Sequence, residues 1–292
     1  ETSGWAKSSL ATMGEAGVAL RAALRRVLGR TRSHPATTVL AISGVTSGVA
    51  ALLVVLAVMN GLQLNTIEDI LEVSSYHLRL APVRDGSLSA RTGARLASLP
   101  ELQAVVPFYD VQSLASGERS PTVIPLQVRL LPADVAERDR ELFAHARLTQ
   151  GAIDLSPSGG ILIGWEAARL LRVTVGDRVQ LSTLAAGPAL QPVTGGLEVT
   201  GTFQTGYRPL DAGWAFTSPA LWEQLAGAAP PDVTYGIKLR NPFAIADAVA
   251  AVTAVLETEG WAPDQYRLDT WRSFNRAFFG ALRVEKLLMA VL

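Results

Sequence analysis

The side chains of this 292-residue chain that could do chemistry are few: three histidines, no cysteine and scattered carboxylates. His34, His77 and His145 lie far apart, none with a second ligand at metal-binding spacing, so they read as surface residues rather than a metal centre. Without cysteine, neither a disulfide framework nor a thiolate zinc site can form. Asp134, Glu137, Asp139 and Glu141 alternate with Arg138 and Arg140, the composition of a solvated helix face rather than of an acid–base pair. Neither a G-x-S-x-G elbow nor a G-x-x-x-x-G-K-[ST] phosphate loop occurs, so hydrolase chemistry and nucleotide binding within this chain are not indicated. Arg208, in Gly206-Tyr207-Arg208-Pro209, and Trp214 read as loop residues folded back on the core, although exposed arginine and aromatic side chains also mark interfaces. No catalytic, cofactor-binding or metal-ligating residue is expected, and an enzyme is the least supported class.

The elements that would carry these residues point to a membrane. Residues 37–59 hold no charged side chain, and a helix of that length rises about 34 Å, enough to cross a hydrocarbon core of about 30 Å. A cleaved signal has a shorter apolar core ending at small residues, whereas this run continues through Leu52, Leu53, Val54, Val55 and Leu56 to Asn60 and Gly61. Within it Gly44 and Gly48 form a G-x-x-x-G pair that offers a helix-packing face. Before it, Lys7, Arg21, Arg25, Arg26, Arg30 and Arg32 outnumber Glu1 and Glu15 by four, although the whole chain is formally neutral. Basic residues beside a spanning helix stay in the cytoplasm, which places everything after Gly61 outside it. Balanced charge gives no support to nucleic-acid binding.

The expected fold class is membrane-anchored α+β. Residues 1–36 form a cytoplasmic segment with an amphipathic helix, its stripe Leu20, Leu24, Val27 and Leu28 flanked by Arg21, Arg25 and Arg26, lying in the lipid interface or on a cytoplasmic partner. Residues 37–60 form the transmembrane helix, and residues 61–283 a two-subdomain, mixed α+β extracytoplasmic domain on a helical stalk. Leu287, Leu288, Met289, Ala290, Val291 and Leu292 lie in a segment, 284–292, expected to start a second transmembrane helix. Two stalk legs are expected: one after Gly61, with Leu62, Ile67, Ile70 and Leu71, and one carrying Trp271, Phe274, Phe278 and Leu282.

Between the legs, strands are expected at 76–80, 104–106, 111–114, 122–131, 160–164, 178–182, 197–203 and 235–239, and helices at 88–99, 132–146, 165–171, 219–225 and 242–259. A second unit is expected from near Gly151. Residues 184–196, uncharged and rich in glycine, proline and alanine, read as a loop.

Three segments together resemble one family. Residues 54–61, Val-Val-Leu-Ala-Val-Met-Asn-Gly, are similar to the end of the first membrane helix in the permease subunits of lipoprotein-releasing ABC transporters, the LolC and LolE proteins. Residues 278–286, Phe-Phe-Gly-Ala-Leu-Arg-Val-Glu-Lys, resemble the start of their second membrane helix. Residues 159–179 and 197–203 resemble the extracytoplasmic domain shared with the wider MacB-like and FtsX-like permease group.

The resemblance implies an inner-membrane, multi-pass subunit with a periplasmic domain, working with a second permease subunit and a separate ABC ATPase subunit. ATP and magnesium would bind to that ATPase and no cofactor to this chain. The complex would extract lipoprotein cargo from membrane lipid and pass it to a periplasmic lipoprotein carrier, the legs transmitting motion to the outer domain. Each buried CH₂ contributes about 0.8 kcal/mol, so extracting several acyl chains needs driven work. In LolC proteins a projecting loop recruits the carrier, which implies that role for Pro188, Leu190, Gln191 and Pro192; the loop has no arginine, a departure from the family's pattern. The resemblance is equally open to a LolC-like, a LolE-like or a single fused-type subunit. Two other readings stay open: a MacB-like or FtsX-like permease with different cargo or a force relay to cell-wall hydrolases, and a membrane sensor with an external ligand-binding domain.

Overall fold

A 16-residue strand, Leu102–Gly117, organises the folded part of the chain, because its two halves belong to different sheets. The computed structural model describes residues 35–83, 87–185, 191–227, 232–242, 244–276, 280 and 284. Two compact units divide the chain, residues 1–64 and 65–292.

In the first unit the described residues are all helical, part of α1 (Pro35–Asp69). Its window Val39–Val58 has a mean hydropathy of 2.4 and is long and apolar enough to cross a membrane. Leu40, Val45 and Val54 are exposed among the described residues, an apolar surface suited to lipid. Among the described residues, nothing lies within 4 Å of a Cβ added at Gly44 or Gly48. The amphipathic segment at 18–28 and residues 285–292 of the expected second membrane helix lie outside the described residues.

In the second unit a π-helical turn (Ile70–Ser75) leads to β1 (Leu78–Pro82). Then come α2 (Ala90–Ala97), β2 (Leu102–Gly117), β3 (Val123–Leu130), α3 (Val135–Arg138), α4 (Arg140–His145) and β4 (Arg147–Gly151). After these follow β5 (Ile161–Gly164), α5 (Trp165–Leu171), β6 (Arg178–Ala185), β7 (Gln191–Gln204), α6 (Arg208–Gly213), β8 (Trp214–Thr217) and α7 (Pro219–Ala226). The last are β9 (Thr234–Leu239), α8 (Ile245–Thr258), β10 (Tyr266–Thr270) and α9 (Trp271–Phe274).

The pairings β2–β3, β3–β8, β8–β5, β5–β7, β7–β6 and β6–β2 close a six-stranded ring, parallel at β3–β8 and β5–β7 and antiparallel elsewhere. The alternation of β3 explains its inner face: Ile124, Leu126, Val128 and Leu130 pack with Ile161, Ile163, Val179 and Val199. The first half of β2 instead pairs with β9, which pairs with β1, which pairs with β10. Helices α2 and α8 cover that sheet, α8 through Ala248, Val252 and Leu256 at four-residue steps.

The two subdomains are therefore interleaved along the chain rather than divided near Gly151. The reason is β2, which leaves β9 after Phe108 and joins β3 from Tyr109, so strands before and after Gly151 share each sheet. The expected loop at 184–196 is also corrected. Residues 191–196 are strand, with Leu184 facing Pro192 and Ser182 facing Thr194, whose hydroxyls lie 3.0 Å apart. Ladder pairing there overrides the local bias of glycine and proline.

Candidate functional site

Among the described residues, no cluster of His, Asp and Glu has the arrangement of a metal site. The chemistry concentrates instead where Ile70–Ser75 and α9 meet the sheet between them. There Glu72, Asp110 and Asp139 face Arg79, Arg129 and Lys238, three carboxylates against three cations.

Lys238 comes from β9 and is completely buried. Its Nζ lies 2.7 Å from Asp139 Oδ1 and 2.8 Å from Glu72 Oε2. His77 is buried as well: its Nδ1 accepts the Leu239 backbone N–H at 2.7 Å, so the ring proton sits on Nε2, 3.2 Å from Glu72 Oε1. Burial would raise the Glu72 carboxyl, but hydrogen bonding from His77 and the positive charge of Lys238 hold it down at about 2. For Asp139 burial wins and raises it, Lys238 offsetting only part. Asp139 also caps α4, accepting the Leu142 N–H.

Arg129 projects from the outer face of β3, opposite the side that fills the ring, and is also completely buried. Its guanidinium grips Asp110, its cross-strand neighbour on β2, through Nε at 2.7 Å and Nη2 at 2.9 Å. The remaining donors reach back to the end of the π-helical turn: Nη1 to the Val73 carbonyl at 3.0 Å and Nη2 to that of Ser74 at 2.8 Å. Arg79 adds bonds to the Ser74 and Ser75 carbonyls, the latter at 2.8 Å. Two cations thus satisfy the carbonyls that a helix end leaves without partners and face the negative end of its dipole. Aromatic faces complete the setting, with Phe108 4.2 Å and Trp214 4.6 Å from Arg129, and Phe274 3.8 Å from Arg79. Burial and neighbouring Arg129 push Arg79 down to about 9, so it stays cationic at neutral pH.

The second segment is tied to the same point. Asn275 Nδ2 donates to Ser75 Oγ at 2.8 Å, and the Trp271 N–H donates to the His77 carbonyl at 2.9 Å. Tyr76, between the π-helical turn and β1, takes φ 56, and its ring stacks on Phe108 with centroids 5.2 Å apart. Gly236 makes room for that ring, since a Cβ there would lie 2.4 Å from it.

Several sequence expectations are corrected here. His77 is buried, not a surface residue, because its imidazole bridges Glu72 and the β9 backbone; His145 is partly buried, and His34 lies outside the described residues. Asp139 is no part of a solvated face, because α3 and α4 break at that residue and turn it inward to Lys238. Trp214 does fold back on the core, starting β8, while Arg208 begins α6 and its side chain stays 82% exposed. Pro188 and Leu190 lie outside the described residues; Gln191 opens β7 and Pro192 is exposed on it. Pro192 borders a groove of about 400 Å³ with Leu114, Pro125 and Thr183. The glycines Gly44 and Gly48 lie in the first unit.

The family profile of the MacB-like periplasmic core domain matches residues 38–255. The chain belongs to that family. The MacB-like chain is also 28% identical over 265 residues to the "Lipoprotein-releasing system transmembrane protein LolC" of Xylella fastidiosa strain Temecula1 / ATCC 700964, covering 86% of this chain and 59% of that protein. The LolC of strain 9a5c is 26% identical over 263 residues, with the same coverage. The chain therefore spans about three fifths of the curated relatives it matches. Its similarity to LolC within the MacB-like group agrees with the resemblance noted from residues 54–61 and 278–286. Among solved structures, the periplasmic region of MacB from Actinobacillus actinomycetemcomitans aligns with 73% of this chain and 97% of its own, at 10% identity and TM-score 0.45. The extracellular domain of the noncanonic ABC-type transporter YknZ from Gram-positive bacteria aligns with 66% and 99%, at 12% identity and TM-score 0.43.

Proposed function

We propose that this chain is part of a permease subunit of an ABC transporter that extracts lipoproteins from the inner membrane and hands them to a periplasmic carrier. A separate ATPase subunit would bind ATP and magnesium, and a second permease subunit would complete the membrane part. On this reading the second unit is periplasmic, and the charged joint ties the end of the first leg to the start of the second where they enter it. The observation that carries the reading is the single family match from residue 38 to 255, which takes in the apolar helix and the folded unit together, with LolC similarity over 86% of the chain. The β6–β7 hairpin, with Pro188, Leu190, Gln191 and Pro192, is the proposed carrier contact, and Gly44 and Gly48 the proposed packing face toward another membrane helix.

The test is affinity purification of the full-length protein from membranes, followed by identification of what remains bound. An ABC ATPase recovered with a lipoprotein supports the whole reading. An ATPase with different cargo retains the permease and replaces lipoprotein release, and the absence of an ATPase overturns the proposal.

A further inference from the structure

The charges at the joint are arranged unequally. Two ion pairs lie wholly among residues after Tyr76: Asp139 with Lys238, and Asp110 with Arg129 in a bidentate grip. The π-helical turn contributes one carboxylate, Glu72, and the three backbone carbonyls of Val73, Ser74 and Ser75. If that turn left the joint, Lys238 would keep Asp139, Arg129 would keep Asp110, and Glu72 would pass into water. Neither of the two completely buried cations would be stranded without a carboxylate, the outcome that makes breaking a buried charge network prohibitive.

The backbone is also prepared for such a movement. The segment is π-helical, a rare form found mostly as single-turn bulges, frequently at functional sites. Tyr76, which follows it, is a bulky residue at φ 56, where a Cβ is crowded and the conformation is stored strain. Beyond it, the His77 N–H donates to Ile237 O in the sheet, so the change of direction is confined to one residue.

We infer that residues 70–75 form a releasable latch, docked by the buried Leu71 and Val73 side chains, by Glu72 on Lys238 and by arginine capping of its carbonyls, hinged at Tyr76, and able to open while the six-stranded ring stays folded. This device belongs to the packing of the chain itself and stands apart from the transport reading, since its test needs neither cargo nor ATPase.

The test is native-state hydrogen exchange by mass spectrometry on the full chain in detergent micelles. Residues 70–75 are expected to exchange through an opening that β3 and β7 do not share. Glu72→Gln, which keeps the side chain's shape, and Arg79→Met, which removes a carbonyl cap, are each expected to speed exchange of 70–75 at least tenfold while leaving β3 and β7 unchanged. Exchange of 70–75 at the same rate as the ring in the wild type would overturn the latch. So would variants that leave 70–75 unchanged, or that speed the ring equally.

Discussion

Replacing Arg129 with methionine isolates what the buried guanidinium does. The side chain is completely buried, makes two bonds to Asp110, whose side chain is 26% exposed, and caps the carbonyls of Val73 and Ser74. Removing one partner of a buried pair costs about 3–5 kcal/mol, with the lower end fitting a partly exposed carboxylate. Each carbonyl left without its donor adds about 1 kcal/mol or more, so Arg129→Met is expected to cost about 5 kcal/mol in all. Adding Asp110→Leu removes the stranded charge and should return about 3 kcal/mol, leaving a deficit of about 2 from the carbonyls. The assay is equilibrium urea unfolding of the chain in detergent, followed by tryptophan fluorescence, since the Trp214 ring lies 4.6 Å from the guanidinium. A loss under about 1 kcal/mol in the single variant would refute the claim that the joint is a dry, charge-dependent structure. A double variant no more stable than the single one would show that the carbonyl caps, not Asp110, hold Arg129.

Lys238→Met leaves Glu72 and Asp139 facing each other without their cation, a loss of about 3–5 kcal/mol at pH 7.5 that should shrink at pH 5, where one carboxyl takes up a proton; urea midpoints at the two pH values check it, and equal losses would contradict it. In the wild type the two carboxyls have opposite signs. Glu72, held at about 2, contributes stability in full above its ordinary value of 4.5 and loses it as pH falls toward 2. Asp139, raised, favours folding as pH falls from its folded value toward 3.8. Thermal melts from pH 7 to 2 should therefore show a steeper acid loss in Asp139→Asn and a flatter one in Glu72→Gln. Gly236→Ala places a Cβ 2.4 Å from the Tyr76 ring, an overpacking expected to cost about 1–3 kcal/mol in the same urea assay; a neutral result would mean that Tyr76 is not wedged there. Because the chain has no cysteine, Asp134→Cys gives a single labelling site, expected to react with a membrane-impermeant maleimide added outside the cytoplasm, and reaction only after the cytoplasm is opened would reverse the orientation.

Elements whose limits are set locally were legible in the sequence. Helix α5 falls on 165–171 as its apolar spacing and leading glycine indicate, and α7 starts where Ser218 accepts the Leu221 N–H and Pro219 takes the first turn. Strand β2 was legible only as two pieces, since Pro107 interrupts the pattern and the strand changes partner between Phe108 and Tyr109. Strand β4, exposed along its whole length, carries no buried alternation to detect; its structure comes from register with β7, Arg147 opposite Gln204. Short β8 and β10 likewise owe their extended form to pairing rather than composition.

The joint was hidden for a different reason. A charged residue inside an apolar strand is a visible signal, and both Arg129, between Val128 and Leu130, and Lys238, between Ile237 and Leu239, give it. Their partners are not visible: Asp110 lies 19 residues from Arg129, and Asp139 lies 99 from Lys238. Only the sheet topology brings them together. Apolar side chains of similar size would stabilise this contact as well or better, because desolvation consumes most of the gain from a buried ion pair. They would not fix its geometry. A hydrophobic contact is indifferent to rotation and sliding, whereas guanidinium bonds to the Val73, Ser74 and Ser75 carbonyls are satisfied in one register only. A segment that must return to the same position after each displacement needs the second kind of contact.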